Sequence, residues 1–111
     1  MPVPLREKAE YLALNPEGKV PLLLVDGRPM TEVAGIMFYL AKANPQAKLI
    51  PEDAEGQGHV VSWMSYAAST LHPARKAGID VAKDCFARAD KRLAGRDWCV
   101  GAFSIADIHL F

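Results

Sequence analysis

An α/β unit over residues 1–50 followed by an all-α unit over residues 51–111 is the fold class this sequence predicts, and three observations predict it. Leu22-Leu23-Leu24-Val25 and Arg28-Pro29-Met30 flank Asp26-Gly27, the pattern of a tight β-hairpin. From Thr31-Glu32 onward, apolar residues recur at helical spacing. Beyond Pro51-Glu52-Asp53, which reads as a linker, every periodic stretch has the period of a helix.

Taken in order, Arg6 to Leu14 carries Ala9, Leu12 and Ala13 at the spacing of a short helix. Asn15-Pro16-Glu17-Gly18 is a turn, because proline presets φ and glycine accepts a positive one. Leu22 to Val25 is a continuous apolar run, as a buried strand requires. Asp26-Gly27 suits a type I′ turn, whose two central residues both need positive φ. Arg28 to Met30 returns as a second strand, and Pro29 marks an edge or an end. Val33 to Leu40 forms the next helix, with Ile36, Met37 and Leu40 as its apolar stripe and Asn44-Pro45 as its stop.

In the second unit, Val60, Met64, Ala67 and Leu71 recur at helical spacing, widened by Trp63 and Ala68, and Pro73 ends or kinks that helix. Ile79, Ala82, Phe86, Ala89 and Leu93 step by three and four residues into a second amphipathic helix, closed by Gly95. The two are expected to pack antiparallel. Ser104-Ile105-Ala106-Asp107 fits a capping box, with Phe103 and Ile108 placed as a hydrophobic staple, so a third helix starts near Ile105. A helix of two turns or fewer does not offset its nucleation cost. A lone hairpin is also marginal in water. The expectation is a fragment of a longer parent, or a chain completed by a partner.

Composition narrows the function classes. Half of the 111 residues are hydrophobic, which marks a globular chain. Thirteen basic and thirteen acidic side chains cancel, so no net field attracts nucleic acid or an anionic membrane. Arg6, Glu7 and Lys8 interrupt the apolar core that a signal peptide would need. No apolar run approaches the roughly 20 residues of a membrane helix. Cys85 and Cys99 are too few for a disulfide scaffold and lack C-x-x-C spacing, so a reduced, cytoplasmic setting is the default expectation. His59 and His72 stand thirteen residues apart, roughly 220° around a helix, and with His109 and the cysteines they make no zinc pattern. No metal is expected. Both cysteines read as small buried residues, and Trp63 and Trp98 as core or interface anchors.

Val20-Pro21 ahead of the hairpin, Thr31-Glu32 after it, the stretch Trp63 to His72 and the run Trp98 to Asp107 occur in an order that resembles the glutathione transferase superfamily, most closely its bacterial beta class. The resemblance covers most of the chain, apart from about Pro73 to Lys83. It implies that the first unit is part of a thioredoxin-like domain and the second part of the helical domain. Glutathione would then be the co-substrate, a small electrophile its acceptor, and a homodimer the assembly.

The resemblance further implies a site. Val20-Pro21 would be a cis peptide that turns the Val20 backbone toward the cysteinyl unit of glutathione. Glu32 would take the glutathione ammonium, and the Val33 N–H at the helix start would hold the γ-glutamyl carboxylate. The family usually has Ser where this chain has Val33, so a hydroxyl is lost and weaker head-group binding is expected. Ser65, Ser69, Thr70 and Leu71 would border glutathione, Ser65 and Ser69 from the opposite subunit. His72 would face the thiol as the candidate catalytic group, since its ordinary pKa lies near 6.5. Each has an alternative: Glu32 as a first-turn acid and His72 as a C-terminal helix cation. Transferases lower the thiol pKa with a Ser, Tyr or Cys at the first strand–helix junction. That junction has no counterpart here, and Tyr11 lies in a different element, so poor catalysis by this chain alone is expected. A non-catalytic interaction module of the same architecture is the alternative function, and a thioredoxin or glutaredoxin fragment is disfavoured by the missing C-x-x-C.

Overall fold

The computed structural model describes residues 3–110; Met1, Pro2 and Phe111, at the outer limits of the two predicted units, lie outside the described residues. The fold is the α/β-then-α arrangement the sequence predicts. A 3₁₀ turn (Leu5–Glu7) and α1 (Ala9–Leu14) lead into β1 (Leu22–Val25), β2 (Arg28–Thr31) and α2 (Val33–Ala43). After a 3₁₀ turn at Pro45–Ala47 come α3 (Ala54–Tyr66), a π-helical segment (Ala67–Leu71), α4 (His72–Ala77), α5 (Ile79–Leu93) and α6 (Ile105–Leu110). The first helix is thus split at Lys8, where extended backbone separates the 3₁₀ turn from α1.

The hairpin has the predicted register, with Val25 opposite Arg28 and Leu22 opposite Thr31. Asp26 and Gly27 take φ 49° and 79°, the two positive values of the I′ turn. Helix α2 ends at Asn44, whose side chain donates to the Leu40 carbonyl. Its buried face is rotated from the predicted stripe. Ala41 is sealed, with Ala34, Met37 and Phe38 on the same core, while Leu40 is half exposed. The reason is the partner: α6 and α3 approach α2 from the Ala34–Ala41 side. Small residues there let the helices approach closely.

Pro73 does not end its helix. The chain passes through the π-helical segment and continues helical to Gly78, with Pro73 in the first turn of α4. A proline ring clashes with the carbonyl four residues earlier, and a π turn just upstream relieves that conflict by shifting the bonding pattern. Helix α5 then returns antiparallel. Cys85 and Ala89 pack with Ala67, Leu71 and Ala74, and near its end Arg92 donates to Ser62 Oγ at 2.6 Å. The predicted stripe holds only in part: Ala89 is buried, but Ile79 and Phe86 stay exposed, and Cys85 beside the stripe is buried. The left-handed residue that closes α5 is Ala94, at φ 53°, with Gly95 following at 77°.

One core joins both units, combining Ala41 of α2 with Val60, Trp63, Met64, Cys99, Ile105 and Ala106. The Ile105 N–H also donates to the Leu49 carbonyl at 2.9 Å. The molecule is nevertheless a slab of 47 × 39 × 19 Å, with a radius of gyration of 16.4 Å against about 13 Å for a compact chain of this length. Its accessible surface is 7734 Å², some 1,700 Å² above the roughly 6,000 Å² of a typical monomer of this mass. No helix among the described residues is long and apolar enough to cross a membrane.

Candidate functional site

The hairpin register assembles the first part of the site. Leu22 pairs with Thr31 at the open end of the hairpin, so Val20-Pro21 precedes that end on β1 and Glu32-Val33 follows it on β2. The Val20-Pro21 bond is cis, as the resemblance implies. Val20 is exposed, and among the described residues its backbone forms no hydrogen bond. The segment before it is pinned: the Lys19 carbonyl accepts from the Tyr11 hydroxyl and from Asn15 Nδ2. Tyr11 is therefore a positioning group for this loop.

Glu32 sits at φ 73°, a left-handed conformation that costs a non-glycine residue of the order of 1–3 kcal/mol. It is the N-cap residue of α2, yet its side chain does not cap the helix, and no cation among the described residues lies within ion-pair distance. The carboxylate is exposed and available. The first N–H groups of α2, from Val33 onward, have no intrahelical acceptor, so this end attracts anions. The exposed Val33 supplies that backbone donor but no hydroxyl.

The second part lies on the helical unit. Ser65 shares a groove of about 230 Å³ with Ala34, Gly35 and Phe38 of α2 and with Val61 and Met64 of α3. Ser69 and Thr70 sit on the π-helical segment with hydroxyls 3.4 Å apart. Leu71 is fully buried and packs in the second core cluster, away from the surface. His72 turns toward α6, where its ring centroid lies 5.2 Å from that of His109. His72 Nε2 and His109 Nδ1 are both shut off from solvent without a partner among the described residues. Burial, and then the charge of His72, hold His109 below its ordinary pKa. The pairing joins residues 37 positions apart and has no local signal in the sequence.

The capping box forms as predicted. Asp107 accepts from the Ser104 N–H at 2.9 Å, and Ser104 Oγ accepts from Ala106 N–H at 3.2 Å. Its other carboxylate oxygen takes the Cys99 N–H at 2.9 Å, which locks the Trp98–Phe103 loop to the helix start. Burial and the adjacent Asp107 push the Cys99 thiol up to about 12. Phe103 and Ile108 both remain half exposed, and the Phe103 ring lies edge-on to Trp98, which is a surface residue, unlike the buried Trp63. Among the described residues, no group of three or more His, Cys, Asp or Glu side chains could hold a metal ion.

This hairpin-and-helix unit, with a cis-proline loop packed on a helical unit, defines a chain of the thioredoxin-like-plus-helical class. The family model described as the glutathione S-transferase N-terminal domain matches residues 1–43. Glutathione S-transferase GstA of Escherichia coli O157:H7 is 42% identical over 65 residues, covering 57% of this chain and 32% of that protein. Maleylacetoacetate isomerase of Rhizobium meliloti (strain 1021) is 36% identical, covering 88% of this chain and 47% of that protein. The structure of a sphingomonad glutathione S-transferase complexed with glutathione superposes with a TM-score of 0.80 at 36% identity, over 90% of this chain and 58% of that one. The chain belongs to the glutathione S-transferase superfamily. It spans between a third and three fifths of the length of these relatives.

Proposed function

We propose that the chain binds glutathione at the open end of its hairpin and that the protein conjugates the glutathione thiol to small electrophiles. In this reading the Val20 backbone pairs with the cysteinyl unit, Glu32 holds the ammonium, and the Val33 N–H with the start of α2 holds the γ-glutamyl carboxylate. Ser65, Ser69 and Thr70 border the bound tripeptide, Ser65 and Ser69 across a homodimer interface, with Leu71 as the packed residue behind them. His72 stands near the thiol and polarises it or its water. A cytoplasmic homodimer that uses glutathione as co-substrate, without a metal, completes the reading.

The observation that carries it is Glu32: a carboxylate unpaired among the described residues, at positive φ, near the Val20 backbone, which has no hydrogen bond among those residues, and at the N-terminus of α2. Strain retained at a charged, exposed position points to a ligand rather than to stability. The sphingomonad relative, complexed with glutathione, supports the choice of ligand. The test is calorimetric titration of the folded chain with glutathione. A charge-assisted hydrogen bond is worth about 1.5–3 kcal/mol, so Glu32→Ala should weaken binding about 10- to 150-fold, with Glu32→Gln in between. A folded chain that takes up no glutathione, or a Glu32→Ala variant that binds as tightly as the parent, would reject the proposal.

A further inference from the structure

A second cleft, of about 620 Å³, opens between α3 and the C-terminal end of α5, away from the hairpin residues above. Gly56, His59, Ser62 and Trp63 line it on one side, with Arg92, Arg96 and the Cys99–Gly101 strip on the other. Its two guanidiniums are positioned by the fold. Arg92 lies 4.8 Å from the ring centres of both Trp63 and Tyr66, and donates to Ser62 Oγ. Arg96 donates to the carbonyls of Arg92 and Cys99, each at 3.2 Å. Among the described residues, no carboxylate lies within ion-pair distance of either.

The donor inventory is what makes this cleft informative. Two guanidiniums carry ten N–H donors between them, and the hydrogen bonds above use three. Planar guanidinium forks match phosphate and carboxylate oxygens in pairs. Fixing the forks in advance, as the aromatic stack does for Arg92 and the carbonyls do for Arg96, lowers the ordering cost of binding. The His59 ring, also without a partner among the described residues, adds a donor on the facing helix. Trp63 and Val100 supply apolar wall, and Gly101 leaves the opening free of a side chain.

We propose that this cleft binds a small organic oxyanion, a phosphate monoester on a compact apolar body, held by Arg92 and Arg96 and closed on the α3 side by His59 and Ser62. The occupant is small because the volume falls within the usual range for metabolite-sized ligands. The chain's zero net charge offers no extended field for a polyanion.

The probe is phenyl phosphate, titrated into the chain at low ionic strength and followed by calorimetry and by amide chemical shifts. Saturable binding is expected, with shifts centred on residues 56–63 and 92–101 and weakened by added salt. Benzyl alcohol, which keeps the ring and loses the anion, should not saturate. Arg96→Gln should raise the dissociation constant at least about tenfold, as expected for one lost charge-assisted pair. Arg92→Gln also removes a packed side chain, so Arg92→Lys, which keeps the charge and loses the fork, and His59→Gln are read alongside it. Glu32→Ala should leave phenyl phosphate binding unchanged, which separates this cleft from the glutathione site. A cooperatively melting chain that does not saturate, an Arg96→Gln variant that binds as well as the parent, or shifts spread over all basic surface residues would each overturn the proposal.

Discussion

Removing the Asp107 carboxylate tests how the short helix α6 is held. Six residues make up α6, too few to offset nucleation by themselves, so its stability must come from its cap and its packing. Asp107 is 6% exposed and receives two backbone N–H groups, from Cys99 and Ser104, each at 2.9 Å. Hydrogen bonds to a charged group are worth about 1.5–3 kcal/mol each, so Asp107→Ala should cost about 3–6 kcal/mol. That is a large share of the 5–15 kcal/mol typical of a folded domain. Asp107→Asn keeps one acceptor oxygen and should cost about half as much. Ser104→Ala removes the hydroxyl that accepts from the Ala106 N–H and donates a long bond, 3.5 Å, to Asp107, at about 1 kcal/mol. The double variant should fall short of the sum, because both residues belong to one network. Urea unfolding followed by far-ultraviolet circular dichroism measures all four, with the denaturant slope unchanged. An Asp107→Ala loss below about 1 kcal/mol at constant slope would refute the reasoning.

Three further outcomes follow from other parts of the fold. Ala94 closes α5 at φ 53°, so Ala94→Gly should raise stability by about 0.5–1 kcal/mol, and a loss on the same urea scale would count against that strain. The Cys99 thiol, pushed up to about 12, should resist iodoacetamide at neutral pH until the chain unfolds, and peptide mass spectrometry of the folded protein should find it unlabelled. His109 is held below its ordinary pKa by burial and by His72. The unfolded chain therefore takes up that proton first. The His109 contribution should be complete above about pH 6.5 and lost as the pH falls from there toward the lower folded value. Melting temperatures recorded down that range should decline less steeply for His109→Leu; an equal slope would exclude the group.

Much of the site was legible because its signals are local. The hairpin turn is written in two adjacent residues that both accept positive φ, and the turn fixes the register that sets Leu22 opposite Thr31, next to Pro21 and Glu32. Ser104 and Asp107 are three residues apart, so their reciprocal cap is also a short-range signal. What failed was helix rotation. Periodicity in α2 pointed to Leu40 and in α5 to Ile79 and Phe86, which stay exposed, whereas the structure buries Ala41 and Cys85 and, of the α5 stripe, Ala89. A hydropathy stripe cannot say which neighbour arrives or how closely, and close packing selects small residues at the contact.

The sequence by itself determined the α/β-then-α order, the two-residue hairpin turn, the starts of α2, α5 and α6 and the residue types offered at the candidate site, because each depends on backbone preferences within about four residues. Only the tertiary structure decided that the helix continues past Pro73 through a π turn, that His72 meets His109, and that Arg92 and Arg96 share a cleft with His59. Those outcomes join residues 30 or more positions apart, or hinge on backbone bonding that neighbouring helices select. Packing, not local preference, sets contacts at that range.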